Sequence, residues 1–99
     1  MKNSPPKHLS REAKAWWSRI VDEFECDDNS AQLLLTQALE AYDRLREAQA
    51  ILKREGIITL DRFGQKRQHP ATLVERDARN QMLKSLRLLN LDIVPAEPR

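Results

Sequence analysis

Apolar residues return at helical spacing in three stretches of this chain, and the polar residues between them carry the signals that end each stretch. The first stretch is Ala13, Trp16, Trp17, Ile20, Val21 and Phe24, at i, i+3, i+4, i+7, i+8 and i+11. That is one apolar stripe on a helix, predicted over about residues 11–25. Ser10 precedes it, with a hydroxyl able to accept from a free backbone amide of the first turn. Upstream, Pro5-Pro6 removes two backbone donors and favours extended chain, so residues 1–9 are expected as an arm. The stripe assigns Trp17, Ile20, Val21 and Phe24 to the core. Trp16 points about 100° away from Trp17 and lies at the stripe's edge, open to two readings: core packing or contact with a neighbouring subunit.

The second stretch is Leu34, Ala38, Ala41, Leu45, Ala48 and Leu52, spaced 4, 3, 4, 3, 4. This is a heptad-like seam whose small residues permit close approach of another helix. It predicts helix 2 from about residue 30 to Glu55, ~40 Å long and more than helix 1 alone can cover. Asp28, Asn29 and Ser30 are each able to cap its start, and Gly56 is its natural stop. Ile57 to Leu60, the turn Asp61-Arg62-Phe63-Gly64 and Gln65 to Gln68 then predict a short hairpin or flap. A lone hairpin is marginal, so this one is expected to pack on the helices. His69-Pro70 opens helix 3, whose apolar face is Leu73, Val74, Ala78, Met82, Leu86 and Leu89 and which ends near Asn90. His69 is expected to bond locally at the helix start, with no catalytic or metal role. The resulting fold class is mainly α: a three-helix core with a long central helix and a short β-hairpin between helices 2 and 3. The expected organisation is an arm at 1–9, one helical domain at 10–91 and an irregular, proline-containing tail at 92–99.

With 99 residues, the chain can bury only a modest core, and self-association is one remedy for that. The seam residues Leu34, Ala38, Ala41, Leu45, Ala48 and Leu52, with Trp16, Met82 and Leu86, are the candidate faces for other copies. The net charge of +2 conceals an uneven layout. Residues 1–20 carry five basic side chains against one acid, whereas residues 21–30 carry five acids and no base. Any affinity for nucleic acid must therefore come from local patches, or from repeating them in an oligomer. The single cysteine, Cys26, cannot form an internal disulfide, and its acidic neighbours disfavour the thiolate. No apolar run approaches a membrane span, so the expectation is a cytoplasmic protein without a membrane partner.

The chemistry-bearing patterns are few. Gly56 and Gly64 are the only glycines, too few for a phosphate-binding loop. Cys26, His8 and His69 lack the number and spacing of a zinc site. The acidic run Asp22 to Asp28 lacks the alternating acids and central glycine of a calcium loop, and reads as a solvated helix end plus a cap. Ser10 and Ser30 have no histidine–acid set around them. Neither a cofactor nor a catalytic function is expected.

Three local patterns occur in an order that resembles the P27-type small subunits of bacteriophage terminases. The first is Pro5-Pro6-Lys7-His8-Leu9-Ser10 leading into a helix with Trp17 at the position of that family's key tryptophan. The second is an alanine-rich helix, Ala38 to Tyr42 and Ala48 to Glu55, closed by Gly56 and a β-branched pair. The third is His69-Pro70-Ala71, followed by Arg76-Asp77-Ala78 and a leucine-rich continuation. Asn90-Leu91 departs from the pattern, where relatives often carry Gly-Leu. The resemblance spans Pro5 to about Leu91. It implies a non-catalytic, ring-forming subunit that recognises viral double-stranded DNA and recruits a large subunit holding the motor and the nuclease, in the bacterial host cytoplasm.

On that reading the candidate DNA contacts are Lys7 and Lys14 near the N-terminus, Arg62, Lys66 and Arg67 on the flap, and Arg76 and Arg79 on helix 3. The competing reading of each is an ordinary solvated charge. Two other functions compete with the whole assignment: a helical DNA-binding transcriptional regulator, and a structural helical oligomer that ignores DNA. The acidic connection between helices 1 and 2 speaks against a compact helix-turn-helix reader.

Overall fold

The computed structural model describes residues 4–24 and 26–89. Helix α1 covers Arg11–Phe24, α2 covers Asn29–Glu55 and α3 covers Ala71–Leu88. Strands β1, Ile58–Leu60, and β2, Lys66–Gln68, form an antiparallel hairpin between α2 and α3. Its register pairs Ile58 with Gln68, Thr59 with Arg67 and Leu60 with Lys66. The expected end of helix 1 at Glu25 and the expected tail from Asn90 onward lie outside the described residues.

Each helix boundary has an identifiable cause. The Ser10 hydroxyl accepts from the Ala13 amide at 3.0 Å, capping α1. Asp28 is the residue that caps α2, its carboxylate accepting from the Ala31 amide at 2.6 Å. Gly56 ends α2 with φ +84° and ψ 163°, its amide donating to the Leu52 carbonyl at 2.7 Å. The positive φ is as expected for a terminating glycine, but the extended ψ is not that of a left-handed turn. It sends the chain directly into β1. At α3 the N-cap position is Pro70, and the residue before it supplies the bond: His69 Nδ1 accepts from the Ala71 amide at 3.0 Å, while Nε2 lies 2.8 Å from Glu55 Oε1. An accepting Nδ1 puts the ring proton on Nε2, which donates to Glu55. One side chain thus ties the end of α2 to the start of α3.

The central helix α2 offers different faces to its two neighbours. Against α1 it buries Leu35 and Leu39, which join Leu9, Ala13, Trp17, Val21 and Cys26 in one cluster. Against α3 the pairing is close and antiparallel, with Ala38, Ala41, Leu45 and Ala48 buried on α2 and Ala71, Ala78 and Ser85 buried on α3. The α3 residues recur every seventh position, matching the heptad spacing of the seam on α2. Alanine and serine at these positions let the two backbones approach.

Two expectations are corrected here. The seam at Ala41, Leu45 and Ala48 is buried within the chain, where α3 covers it, and of the seam positions Ala38 alone borders an open groove. Its periodicity demanded a partner helix, and the nearest one in sequence supplies it. Phe24, assigned to the core, is 40% exposed, although Trp17 and Val21 are buried and Ile20 is half-buried. Spacing fixes its angle around α1 but not its depth, and α1 ends at this residue, where the packed cluster no longer covers it.

The segment before α1 is folded onto α2. The Leu9 amide donates to the Pro6 carbonyl at 3.3 Å, and the Leu9 side chain is buried. His8 Nε2 lies 2.6 Å from Glu40, the Ser10 amide donates to Asp43 at 2.9 Å, and Arg46 Nε reaches Glu12 at 3.4 Å. These three α2 residues are three apart and form a polar row that holds the chain's approach to α1.

Candidate functional site

The hairpin is a built turn with an apolar exterior. Asp61 organises it: one carboxylate oxygen accepts from the Phe63 amide at 2.8 Å and the Gln65 amide at 3.0 Å, and the other from Arg67 Nε at 3.0 Å. These bonds, the Gln65 amide first, hold the Asp61 carboxyl below its ordinary range. Gly64 supplies the positive φ, +78°, that closes the turn. The hairpin is expected from its sequence to pack on the helices; its base is closed by the bond from the His69 amide to the Ile57 carbonyl at 2.7 Å, and Thr59 is half-buried. Ile57, Ile58, Leu60 and Phe63 are exposed, Phe63 by 74%. Sequence patterning missed this, because β-branched and aromatic residues in a three-residue strand look the same whether buried or displayed.

The candidate cations divide into two groups. Arg67 is paired with Asp61, Arg76 with Asp77 at 3.2 Å, and Arg79 with Glu75 at 3.5 Å. Among the described residues Lys7, Lys14, Arg62 and Lys66 form no ion pair. Lys7 is exposed in the turn before α1, Lys14 is half-buried on α1, and Lys66 is exposed on β2. The Arg62 guanidinium lies 5.1 Å from the centre of the Phe63 ring, a cation–π contact at the hairpin tip.

A second feature joins residues that the sequence flagged separately. Trp16 and Ile20 of α1 and Met82 and Leu86 of α3 line a wholly apolar groove of about 220 Å³, floored by Leu39 and Tyr42 of α2. Trp16, Met82 and Leu86 were each candidates for contact between copies, and the fold brings them to one place. Leu34 and Leu52, at the two ends of the seam, are half-buried and lie outside this groove. The Arg19 guanidinium lies 5.2 Å from the centre of the Trp16 ring at the rim. The Tyr42 phenol is pushed up by burial and by a hydrogen bond to Glu12.

Cys26 is buried beside the core, and its thiol is pushed up first by burial and then by Asp28 and Asp27. Among the described residues no group of three or more His, Cys, Asp or Glu side chains could hold a metal ion. No described helix is long and apolar enough to cross a membrane.

Neither the curated proteins nor the solved structures include a match to this chain. The model of one protein family, described as phage terminase, small subunit, matches residues 13–96. That stretch begins two residues into α1 and takes in the rest of it, α2, the hairpin and α3, and hence both the displayed hairpin tip and the apolar groove. The chain belongs to the phage terminase small-subunit family.

Proposed function

We propose that this protein is the non-catalytic recognition subunit of a viral DNA-packaging terminase, of the P27 type. It binds viral double-stranded DNA as a cyclic homo-oligomer and recruits the large subunit that carries the ATPase and nuclease, in the host cytoplasm. The family match over residues 13–96 carries this reading. Two features of the surface support it. Lys7, Lys14, Arg62 and Lys66 have no acidic partner among the described residues, so their charge is available to phosphate or to an acidic face of another copy. Arg67, Arg76 and Arg79 come second, since each already faces an acid. The apolar groove and the hairpin tip are distinct exposed patches, as a ring of identical subunits requires.

The test is binding to duplex DNA across a salt series, with mass measured in parallel by light scattering. The expected result is an assembly several times 11.5 kDa whose DNA affinity falls steeply with salt. A strict monomer at all concentrations would sink the ring. An assembly that ignores DNA, alone and with the large subunit present, would leave the structural-oligomer reading.

A further inference from the structure

The hairpin tip and the groove are complementary to each other. The tip displays Ile58, Leu60 and Phe63, with the unpaired cations Arg62 and Lys66 among them. Cross-strand pairing puts Leu60 and Lys66 on one face of the hairpin, so apolar and basic groups are presented together. The groove is apolar throughout, lined by Trp16 and Ile20 on one wall and Met82 and Leu86 on the other. Phe24 is the next residue of the α1 row 16, 20, 24 at i, i+4, i+8, beyond the groove's own lining. Phe24 is exposed, and beside it stand the exposed acids Glu23 and Asp27. Among the described residues neither acid forms an ion pair. Arg19, one turn before Glu23, is drawn over the Trp16 ring at 5.2 Å and forms no ion pair with that acid.

These surfaces cannot meet within one copy. The hairpin follows the C-terminal end of α2, whereas Glu23 and Asp27 flank the end of α1 that leads into the N-terminal end of α2, one helical turn beyond the groove's lining residue Ile20. Along α2 the groove floor at Tyr42 lies ~20 Å from the hairpin end, and the acids beside the N-terminal end lie ~40 Å from it. Pairing of hairpin with hairpin, or of acidic end with acidic end, would set like charges against each other. Hairpin to groove sets Arg62 and Lys66 against Glu23 and Asp27, and covers both apolar patches at once. Such a contact is heterologous, and each copy keeps one free tip and one free groove until a ring closes.

We infer that the β1–β2 hairpin of one copy docks into the groove between α1 and α3 of the next, with Arg62 and Lys66 facing Glu23 and Asp27. This rests on the self-association in the proposed function, and it names the surfaces. It leaves the phosphate contacts to Lys7 and Lys14.

A charge exchange tests it on the full chain. R62E with K66E, and separately E23K with D27K, should each raise the concentration at which the assembly dissociates by about tenfold or more. The four changes combined in one chain should restore the parent's mass by light scattering. Phe63→Ser, at a position too exposed to matter for folding, should weaken the assembly in the same direction. A parent that is monomeric throughout overturns this inference together with the ring. A parent that assembles, with variants that assemble equally well, overturns this interface alone. The same holds if the fourfold exchange does not regain the mass. If R62E with K66E keeps its mass but loses duplex DNA, the tip is a phosphate surface and the inference is wrong.

Discussion

Asp61 and Arg67 face each other across the hairpin, Arg67 Nε donating to Asp61 Oδ2 at 3.0 Å, and the same carboxylate holds the turn amides of Phe63 and Gln65. Because the Asp61 pKa is lowered from 3.8, the ionised form is the one the folded hairpin prefers. Its contribution is complete above that ordinary value and is lost as pH falls through the lower folded value. The strand Hα chemical shifts of Ile58–Leu60 and Lys66–Gln68 should therefore drift toward unstructured values only on strong acidification. Asp61→Asn keeps an acceptor for the amides and loses the charge, so it should flatten that acid dependence. A parent hairpin indifferent to acid would show that Asp61 does not organise it.

His69 accepts from the Ala71 amide with Nδ1 and bonds Glu55 with Nε2, a bond that is the first cause of the lowered Glu55 pKa. His69→Ala should cost about 1 kcal/mol, the size of an ordinary N-cap. Nitrogen NMR of the neutral ring should find the proton on Nε2. The opposite tautomer would mean that Ala71 is not capped by this ring.

Trp17 is 2% exposed and Phe24 40%, although both lie on the stripe read from the sequence. Trp17→Ala should destabilise by roughly 3–5 kcal/mol in denaturant unfolding. Phe24→Ala should cost less in a dilute monomer, since 40% of its surface is already in water. Equal losses would place Phe24 in the core after all.

The α2–α3 pair depends on small side chains. Ala41 has no exposed surface and Ala78 only 5%. Ala41→Leu and Ala78→Leu should each destabilise by about 1–3 kcal/mol, since the helices must separate to admit the added atoms. Ala50→Leu, at an exposed position on α2, should be near neutral and serves as the control. A neutral Ala78→Leu would mean that the helices are not in close contact there.

Helices and caps were legible because they depend on local signals. Ser10, Gly56 and the pair His69-Pro70 each sit within a residue of the boundary they mark. What the seam at Ala38, Ala41, Leu45 and Ala48 binds was not legible. A heptad pattern specifies that a helix partner exists, and says nothing of whether it belongs to the same chain. The exposure of Phe24 and of the hairpin tip was hidden for a related reason: burial is set by distant parts of the chain. Trp16, Met82 and Leu86 could be picked out one by one, but their meeting in one groove needs the antiparallel register of α3 on α2. The charge layout was legible in the sequence. Which cations are already paired, as Arg67, Arg76 and Arg79 are, required the side-chain geometry.

Of the proposed phosphate contacts, Lys7 and Lys14 are the two unpaired ones that lie off the hairpin, and so the two a docked hairpin would leave for DNA. Lys7 is exposed in the turn before α1, and Lys14 follows one turn into the helix. Replacing both by glutamine should weaken duplex binding by a similar factor for every sequence tested, because phosphate contacts carry no base information. The slope of log affinity against log salt should fall by about one for each lost contact on each engaged subunit. Mass should not change, since neither lysine lies in the groove or on the hairpin. Stability should hardly change, as neither forms an ion pair among the described residues. Binding across a salt series, with light scattering on the same samples, measures both quantities. An unchanged slope at unchanged mass would remove Lys7 and Lys14 as phosphate contacts. The arginines of α3, Arg76 and Arg79, would then have to exchange Asp77 and Glu75 for phosphate, and their substitution should flatten the slope instead.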